Sequence, residues 1–292
     1  MSPATIAVLG GDLRQSYLAA YLCRLGHDVT CYATPDFSSP SGCPFRAGHL
    51  EEALAGARLV LCPVPLSTDD HTLSVSEAAQ TPLPLKELVL SLHPGQLLAG
   101  GGLPESFWEA CRRKEVTPFD YLMQEEFLRA NAALTAEGLL GILLKETPFS
   151  LVGRRALLLG YGRCGQEIAR LLSYFSVKLS VHEKEPLLLA QAASKGFAAF
   201  SPEQNQEDLP AFDLVINTVP GRVLDITHLH KLSAHCHLFD IASAPFGFDW
   251  ETAKAPWLSP VRCLGLPGKW MPETAGELMG KIILERMLSH GV

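Results

Sequence analysis

The chain has 292 residues, 47% of them hydrophobic and 19% charged, with a formal net charge of −7. That length suffices for two cores of about 100–150 residues each and excludes a disulfide-held miniprotein or a disordered tail. The acidity leaves no broad positive field for a phosphate backbone, so no nucleic-acid partner is expected.

Met1 to Gly10 is a short apolar run without a basic leader, and glycines and a charge follow at once; it reads as a first strand and not as a signal peptide. No stretch approaches the roughly 18 uninterrupted apolar residues of a spanning helix, so no membrane segment is expected. Thr5 to Leu9 is a β-branched, apolar run, Gly10-Gly11 breaks it, and Leu18, Tyr21, Leu22 and Leu25 share a helical face before Gly26 stops the helix. Asp28 to Tyr32 resumes a strand, completing a β-α-β unit. Arg58 to Pro63 and Gln96 to Ala99 read as buried strands, Leu88-Val89-Leu90 as a short strand, and Phe107 to Lys114 as a helix.

Glu125 to Thr147 is long enough for a connecting helix. A second, cleaner β-α-β unit follows: strand Arg155 to Leu159, glycine loop Gly160 to Gly165, helix Gln166 to Phe175, strand Val177 to His182. Further strands are predicted at Leu214 to Thr218, His237 to Ile241 and Val261 to Gly265, and a helix over Thr274 to Ser289. Beyond this shared grammar no internal repeat is visible. The eight cysteines (23, 31, 43, 62, 111, 164, 236, 263) form no CxxC pair and sit mostly in apolar runs, as reduced cysteines of a cytosolic protein do.

Gly160-Tyr161-Gly162-Arg163-Cys164-Gly165 is G-x-G-x-x-G between a strand and a helix, the context that gives the pattern meaning. Gly160 permits the turn, Gly162 lets the backbone approach a pyrophosphate, and Gly165 lets helix lie close to strand. The helix start offers its free N–H groups and positive dipole end to the phosphates. The next strand ends in His182-Glu183-Lys184. Glu183 lies 23 residues after Gly160, where an acid would hold the ribose 2′-OH of NAD, while His182 and Lys184 offer partners for the 2′-phosphate of NADP. Three solvated loop residues are the plain alternative. Thr218-Val219-Pro220 leaves a strand at the edge where ligands bind in doubly wound sheets, as a nicotinamide-side wall or as a simple turn.

Gly10-Gly11-Asp12-Leu13-Arg14 holds the corresponding place in the first unit but lacks the third glycine. A second dinucleotide site is therefore disfavoured; either Arg14 binds a small anion or Asp12 and Arg14 pair with each other. Gly265-Leu266-Pro267-Gly268-Lys269 reads as a tight loop with a lysine at its tip, able to hold a carboxylate or to stand as an exposed turn. His228, His230, His235 and His237 fit no metal-ligand spacing, and no metal site is expected. No G-x-S-x-G elbow, Walker loop or H-E-x-x-H is present.

Taken together, Ile6 to Gln15 (IAVLGGDLRQ), Asn131 with Thr135-Ala-Glu-Gly138, Leu159 to Gly165 with Ile168-Ala-Arg170, Asn217 to Pro220, Asp240-Ile-Ala-Ser243, and Gly265 to Lys269 with Pro272-Glu-Thr-Ala-Gly276 resemble the family of dipicolinate synthase A subunits. They span nearly the whole chain in order. The resemblance implies an α/β fold of two Rossmann-like doubly wound domains, similar to formate/glycerate dehydrogenases. Residues 1–125 would form the substrate domain, with the C-terminal helix 274–292 packing back on it, 126–150 a connecting helix, and 151–273 the NAD(P)-binding domain. It implies oxidation of a dihydrodipicolinate-type precursor to dipicolinate in the mother-cell cytoplasm of a spore former, with the B subunit of dipicolinate synthase as partner; a homo-oligomer stays open. The family commonly carries an arginine after the second Rossmann strand, suited to NADP, whereas this chain has Glu183, suited to NAD. Gln124 stands where a basic residue often precedes the acidic pair Glu125-Glu126.

A pyridine dicarboxylate needs cations for its carboxylates, a hydride acceptor and a base. Arg14, with Asp12 beside it, and Lys269 are the expected carboxylate partners, from opposite sides of an interdomain cleft. Glu126 or Glu137 is the expected base, and Asn131 or Thr135 orients the substrate by hydrogen bonds. The competing readings are a 2-hydroxy or 2-amino acid dehydrogenase of the same two-domain fold, and a non-catalytic dinucleotide-binding regulatory subunit.

Overall fold

The structure, a computed structural model, describes residues 3–36, 44–76, 82–201, 209–248, 250 and 258–290. It divides into two compact units, one of Met1–Ala130 with Met271–Val292 and the other of Asn131–Trp270. The boundary therefore falls within the helix predicted as a connector, and the last helix belongs to the first unit.

In the first unit, strands β1 (Thr5–Leu9), β2 (Asp28–Tyr32), β3 (Phe45–Arg46), β4 (Leu59–Leu61), β5 (Leu97–Gly100) and β6 (Thr117–Asp120) form an all-parallel sheet in the order β3-β2-β1-β4-β5-β6. A parallel sheet is covered on both faces, which is why its inner strands read as unbroken apolar runs. Successive side chains alternate between the faces. Ile6 and Val8 pack with Leu18 and Leu22 of α1 (Leu13–Arg24), while Ala7 and Leu9 pack with Leu54 of α2 (Leu50–Leu54), Leu88 of α3 (Leu85–Ser91) and Phe107 of α4 (Glu105–Arg113). The strand expected at Leu88 to Leu90 is thus helical. Leu85, Leu88 and Leu92 are buried and Leu90 is exposed, a spacing of three to four residues that fits a helix and not the alternation of a strand.

The second unit repeats the topology. Strands β7 (Arg155–Leu159), β8 (Lys178–His182), β9 (Ala198–Phe200), β10 (Leu214–Asn217), β11 (His237–Asp240) and β12 (Ser259–Arg262) are parallel in the order β12-β11-β10-β7-β8-β9. Each sheet thus reverses direction beside its first strand, between β1 and β4 in one and between β7 and β10 in the other, the place where doubly wound folds bind ligands. Ala156 and Leu158 face Ile168 and Leu172 of α6 (Arg163–Tyr174) and Leu139 and Leu143 of α5 (Glu125–Glu146); Leu157 and Leu159 face Phe212 and Leu229. Helices α7 (Pro186–Ser194) and α8 (Ile226–Leu229) complete the crossovers.

Helix α5 is the one helix among the described residues long and apolar enough to cross a membrane by length and composition. Part of its apolar face packs in the core: Ala136, Leu139 and Leu143 are buried in the second unit, while Leu144 is exposed. The predicted loop Gly265 to Lys269 is also corrected, since Leu266–Trp270 is a short helix, α9. Leu266, Pro267 and Gly268 are buried, and a Cβ on Gly138 or Gly141 of α5 would stand 3.0 Å from Leu266 Cβ or 2.6 Å from the Trp270 ring. Proline in a first helical turn forfeits no hydrogen bond, and the two α5 glycines make the seat for α9.

The seven described cysteines, 23, 31, 62, 111, 164, 236 and 263, are free thiols; Cys43 lies outside the described residues. Burial pushes Cys111 up to about 11 and Cys236 up to about 12, so both are unreactive core groups.

The final helix α10 (Pro272–His290) lies against α1, and its glycines set the spacing. A Cβ on Gly276 would stand 2.6 Å from Arg14 O and 2.7 Å from Leu18 N, which is backbone that cannot rotate away. Gly276→Ala is therefore expected to force the two helices apart and to cost roughly 1–3 kcal/mol, read as a lowered Tm.

Candidate functional site

Each sheet's first strand ends in a glycine turn that delivers a helix N-terminus to the switch point. Gly160 has φ +91°, Gly10 +58° and Gly11 +76°, in the left-handed region open to glycine. A helix start leaves several N–H groups without intrahelical partners, and these must find acceptors.

In the first unit the chain itself supplies them. Asp12 caps α1 by accepting from Arg14 N at 3.0 Å, and the Gly11 N–H donates to Ser74 O at 2.7 Å, where Val75 forms a parallel bridge to Gly11. Gln15 is buried; its amide donates to Leu9 O and Leu61 O, the ends of β1 and β4, each at 3.2 Å. The crevice that would take a pyrophosphate is thus filled from within. Arg14 is bound to Asp12 through Nε (2.8 and 3.1 Å) and Nη2 (2.8 Å), and Nη2 also donates to Val64 O at 2.6 Å. The pairing of Asp12 with Arg14 is realised, and among the described residues only Nη1 of the guanidinium is without a hydrogen bond.

In the second unit no side chain among the described residues caps the corresponding helix start. Gly162 is the N-cap of α6 with no side-chain cap, and a Cβ built on it meets nothing within 4 Å. Gly160 and Gly165 are the opposite case. A Cβ on Gly160 would stand 2.5 Å from Thr218 Oγ1 and 2.7 Å from Val219 Cγ2, and one on Gly165 would collide with the Gly160 carbonyl oxygen. Three glycines, two enforced by packing and one by nothing inside the protein, make a cradle that fits a pyrophosphate.

Glu183 stands at the rim and is buried. Its Oε2 accepts from Tyr161 N at 2.7 Å and its Oε1 from Glu185 N at 2.9 Å, so the carboxylate ties the glycine loop to the end of β8. It remains an acceptor for ribose hydroxyls and a repulsive neighbour for a phosphate. Lys184 is exposed, and His182 is buried beside Phe200 with its Nε2 unpartnered. Burial, followed by neighbouring His228, lowers the pKa of His182. Its neutral ring suits packing better than phosphate binding.

Thr218 Oγ1 donates to Leu159 O at 2.9 Å, joining β10 to β7 under the cradle. Pro220 is exposed on the turn beyond. A feature not visible in the sequence lies next to it. Asn217 and Asp240 are both fully buried; Asn217 Nδ2 donates to Asp240 Oδ1 (2.8 Å) and to Val219 O (2.9 Å), while Ala242 N and Gly247 N donate to Asp240 at 3.1 and 2.9 Å. This network fixes the backbone at the ends of β10 and β11, where the nicotinamide half of a dinucleotide lies in such sheets. In the first unit Asp120 does similar work, accepting from Gly102, Leu103 and Leu122 N–H groups at 3.0, 2.8 and 2.7 Å.

The remaining predicted residues are dispersed. Glu126 and Glu137 are exposed on α5. Asn131 and Thr135 are half-buried one turn apart on the same helix, and the Thr135 hydroxyl donates to Asn131 O at 2.7 Å. Lys269 is exposed on α9, its Cε beside Gly265. Arg14 and Glu126 belong to the first unit, Asn131, Thr135, Glu137 and Lys269 to the second. Of the histidines, His228 has its Nδ1 2.7 Å from Asp225 Oδ1, and among the described residues no group of three or more His, Cys, Asp or Glu is placed to hold a metal.

Comparison with known proteins now bears on this geometry. Residues 5–122 match the family model for the N-terminal domain of the dipicolinate synthase A subunit. Over 282 residues it is 24% identical to the dipicolinate synthase A subunit of Bacillus subtilis (strain 168), covering 95% of this chain and 94% of that one. The crystal structure of the A subunit of dipicolinate synthase from Bacillus halodurans superposes with a TM-score of 0.82 at 21% identity, covering 97% of each chain. A transhydrogenase from Sinorhizobium meliloti shares the fold at a TM-score of 0.69 and 15% identity, covering 97% of this chain and 94% of its own. The resemblance to dipicolinate synthase A subunits read from the motifs is thus supported along the whole chain, and the fold is that of two-domain dehydrogenases.

Two buried histidines and the half-buried His237 give this member of the fold a pH signature. His182, His237 and His27 all have their pKa lowered, burial being the main cause. The unfolded chain binds protons near 6.5 where the folded one does not, so stability is full above that value and falls as pH drops below it. Tm is expected to decrease between pH 7.5 and 5.5, and His182→Leu to reduce the decrease, as followed by thermal denaturation across that range.

Proposed function

We propose that the protein is the dehydrogenase subunit of a dipicolinate synthase, oxidising a dihydrodipicolinate-type precursor to pyridine-2,6-dicarboxylate with NAD. The reading is carried by the N-terminus of α6, which no side chain among the described residues caps, over the open Gly162, in a chain that resembles the dipicolinate synthase A subunits. The α6 N–H groups and the positive end of the helix would hold the pyrophosphate, and Glu183 would accept from the adenosine ribose. When bound, the nicotinamide supplies the hydride acceptor.

The chain's own part is to bind, orient and take a proton. The buried Asn217–Asp240 network holds the wall of the nicotinamide side rigid, so orientation costs little at the moment of reaction. Arg14, aimed by Asp12 and Val64 O, keeps Nη1 for a carboxylate, and Lys269 is the proposed second cation. Glu126 or Glu137, both in water, is proposed as the base, with Asn131 and Thr135 orienting the ring. Because the product is aromatic, the step runs downhill, and charge neutralisation with orientation suffices as the protein's contribution. The B subunit of the synthase as partner and a cytoplasmic, mother-cell setting belong to the same proposal.

Purified protein, with and without the B subunit, is expected to form reduced cofactor and pyridine dicarboxylate in step when given the precursor. Dinucleotide binding without turnover in either case would instead make it a regulatory subunit. NAD is expected to bind at least about tenfold more tightly than NADP, because a 2′-phosphate beside the Glu183 carboxylate is repelled at low local dielectric. Gly162→Val, placed where no described residue meets it, is expected to abolish dinucleotide binding in calorimetric titration while leaving Tm unchanged.

A further inference from the structure

The outer strand of the second sheet ends in an arginine that the reading above does not use. Arg262 closes β12, in register with Asp240 at the end of β11. Its guanidinium carbon lies 4.0 Å from the centre of the Phe246 ring and 4.3 Å from that of Trp250. The two rings stand at 79° with centres 6.5 Å apart, so they form a corner with the cation set into it.

Cation–π contact with two rings restricts the guanidinium. Arg262 is exposed, and its N–H groups face solvent. Among the described residues no hydrogen bond or ion pair involves Arg262, although Asp240 stands beside it in the sheet. Both Asp240 oxygens are already taken by Asn217, Ala242 and Gly247. A fixed, uncompensated fork of donors in a chain of net charge −7 is suited to a planar oxyanion, which it can bind through two parallel hydrogen bonds.

Position decides which anion. The sheet order β12-β11-β10-β7 puts three strand intervals, roughly 14 Å at about 4.8 Å each, between Arg262 and the strand that carries the glycine cradle. That is too far for the arginine to share the pyrophosphate. It lies instead beyond β10 and β11, on the nicotinamide side of the ligand-binding edge.

We infer that Arg262, set in the corner of Phe246 and Trp250, binds a carboxylate of the substrate and so selects for an anionic ring substituent. The inference rests on the proposed oxidation of a pyridine dicarboxylate precursor, and one experiment separates the two. Protein saturated with whichever of NAD or NADP binds more tightly is titrated with dipicolinate, with picolinate, and with non-aromatic 2-hydroxy and 2-amino acids. Binding of dipicolinate supports the substrate reading, and binding of non-aromatic acids alone overturns that reading while still testing Arg262 on the acid that binds.

For that acid, Arg262→Gln is expected to weaken affinity about tenfold or more, as loss of a charged hydrogen-bonding partner does. Arg262→Lys, which keeps the charge and loses the fork, is expected to weaken it less. Dinucleotide affinity should stay within about twofold in both variants, since the cradle is remote. The assignment is overturned if Arg262→Gln retains the acid's affinity, if both variants lose acid and dinucleotide together, or if the wild-type protein binds no carboxylate at all.

Discussion

The second unit depends on one constraint, the unpaired N–H groups at the start of the helix that follows the first strand. Both sheets create it in the same way, through a left-handed glycine turn at the switch point of a 3-2-1-4-5-6 strand order. They resolve it differently. In the first unit Asp12, Ser74 and Gln15 satisfy or fill the site, and the helix start becomes a structural joint. In the second no side chain caps Gly162, and the same local chemistry stays open to an external anion. A single architecture thus appears twice in one chain with opposite polarity of use.

The open site is held in shape by buried acids that act on backbone. Glu183 fastens the glycine loop to β8, and Asp240 with Asn217 fastens the ends of β10 and β11. Groups of this kind are costly to bury unless they find donors, and here the donors are main-chain N–H groups and the Asn217 amide. The exchange makes a rigid edge from loops, which by composition alone would be mobile. It also leaves Arg262 beside aromatic rings: with Asp240 committed to N–H groups, no carboxylate among the described residues pairs with it.

Much of this was legible in the residues. Strand-turn-helix patterns at Thr5 to Leu25 and Arg155 to Phe175 were readable because parallel strands are apolar throughout and glycine marks each turn. Leu88 to Leu90 misled because three apolar residues in a row carry no period; only the burial of Leu85 and Leu92 on one side reveals the helix. The loop expected at Gly265 to Lys269 is helical because α5 offers Gly138 and Gly141 as a seat, more than a hundred residues away in sequence.

The amino-acid sequence by itself determined the two α/β units, the glycine turn with Glu183 at its rim, and the likeness to the dipicolinate synthase A subunits. All of these rest on local spacing, and local spacing is written in order along the chain. Only the tertiary structure decided that Arg14 is engaged by Asp12 and Val64 while Arg262 sits in an aromatic corner, and that one helix start is filled while no side chain among the described residues caps the other. Those outcomes depend on which distant groups satisfy a given charge or N–H, and that competition is settled only when the sheets and their loops have assembled.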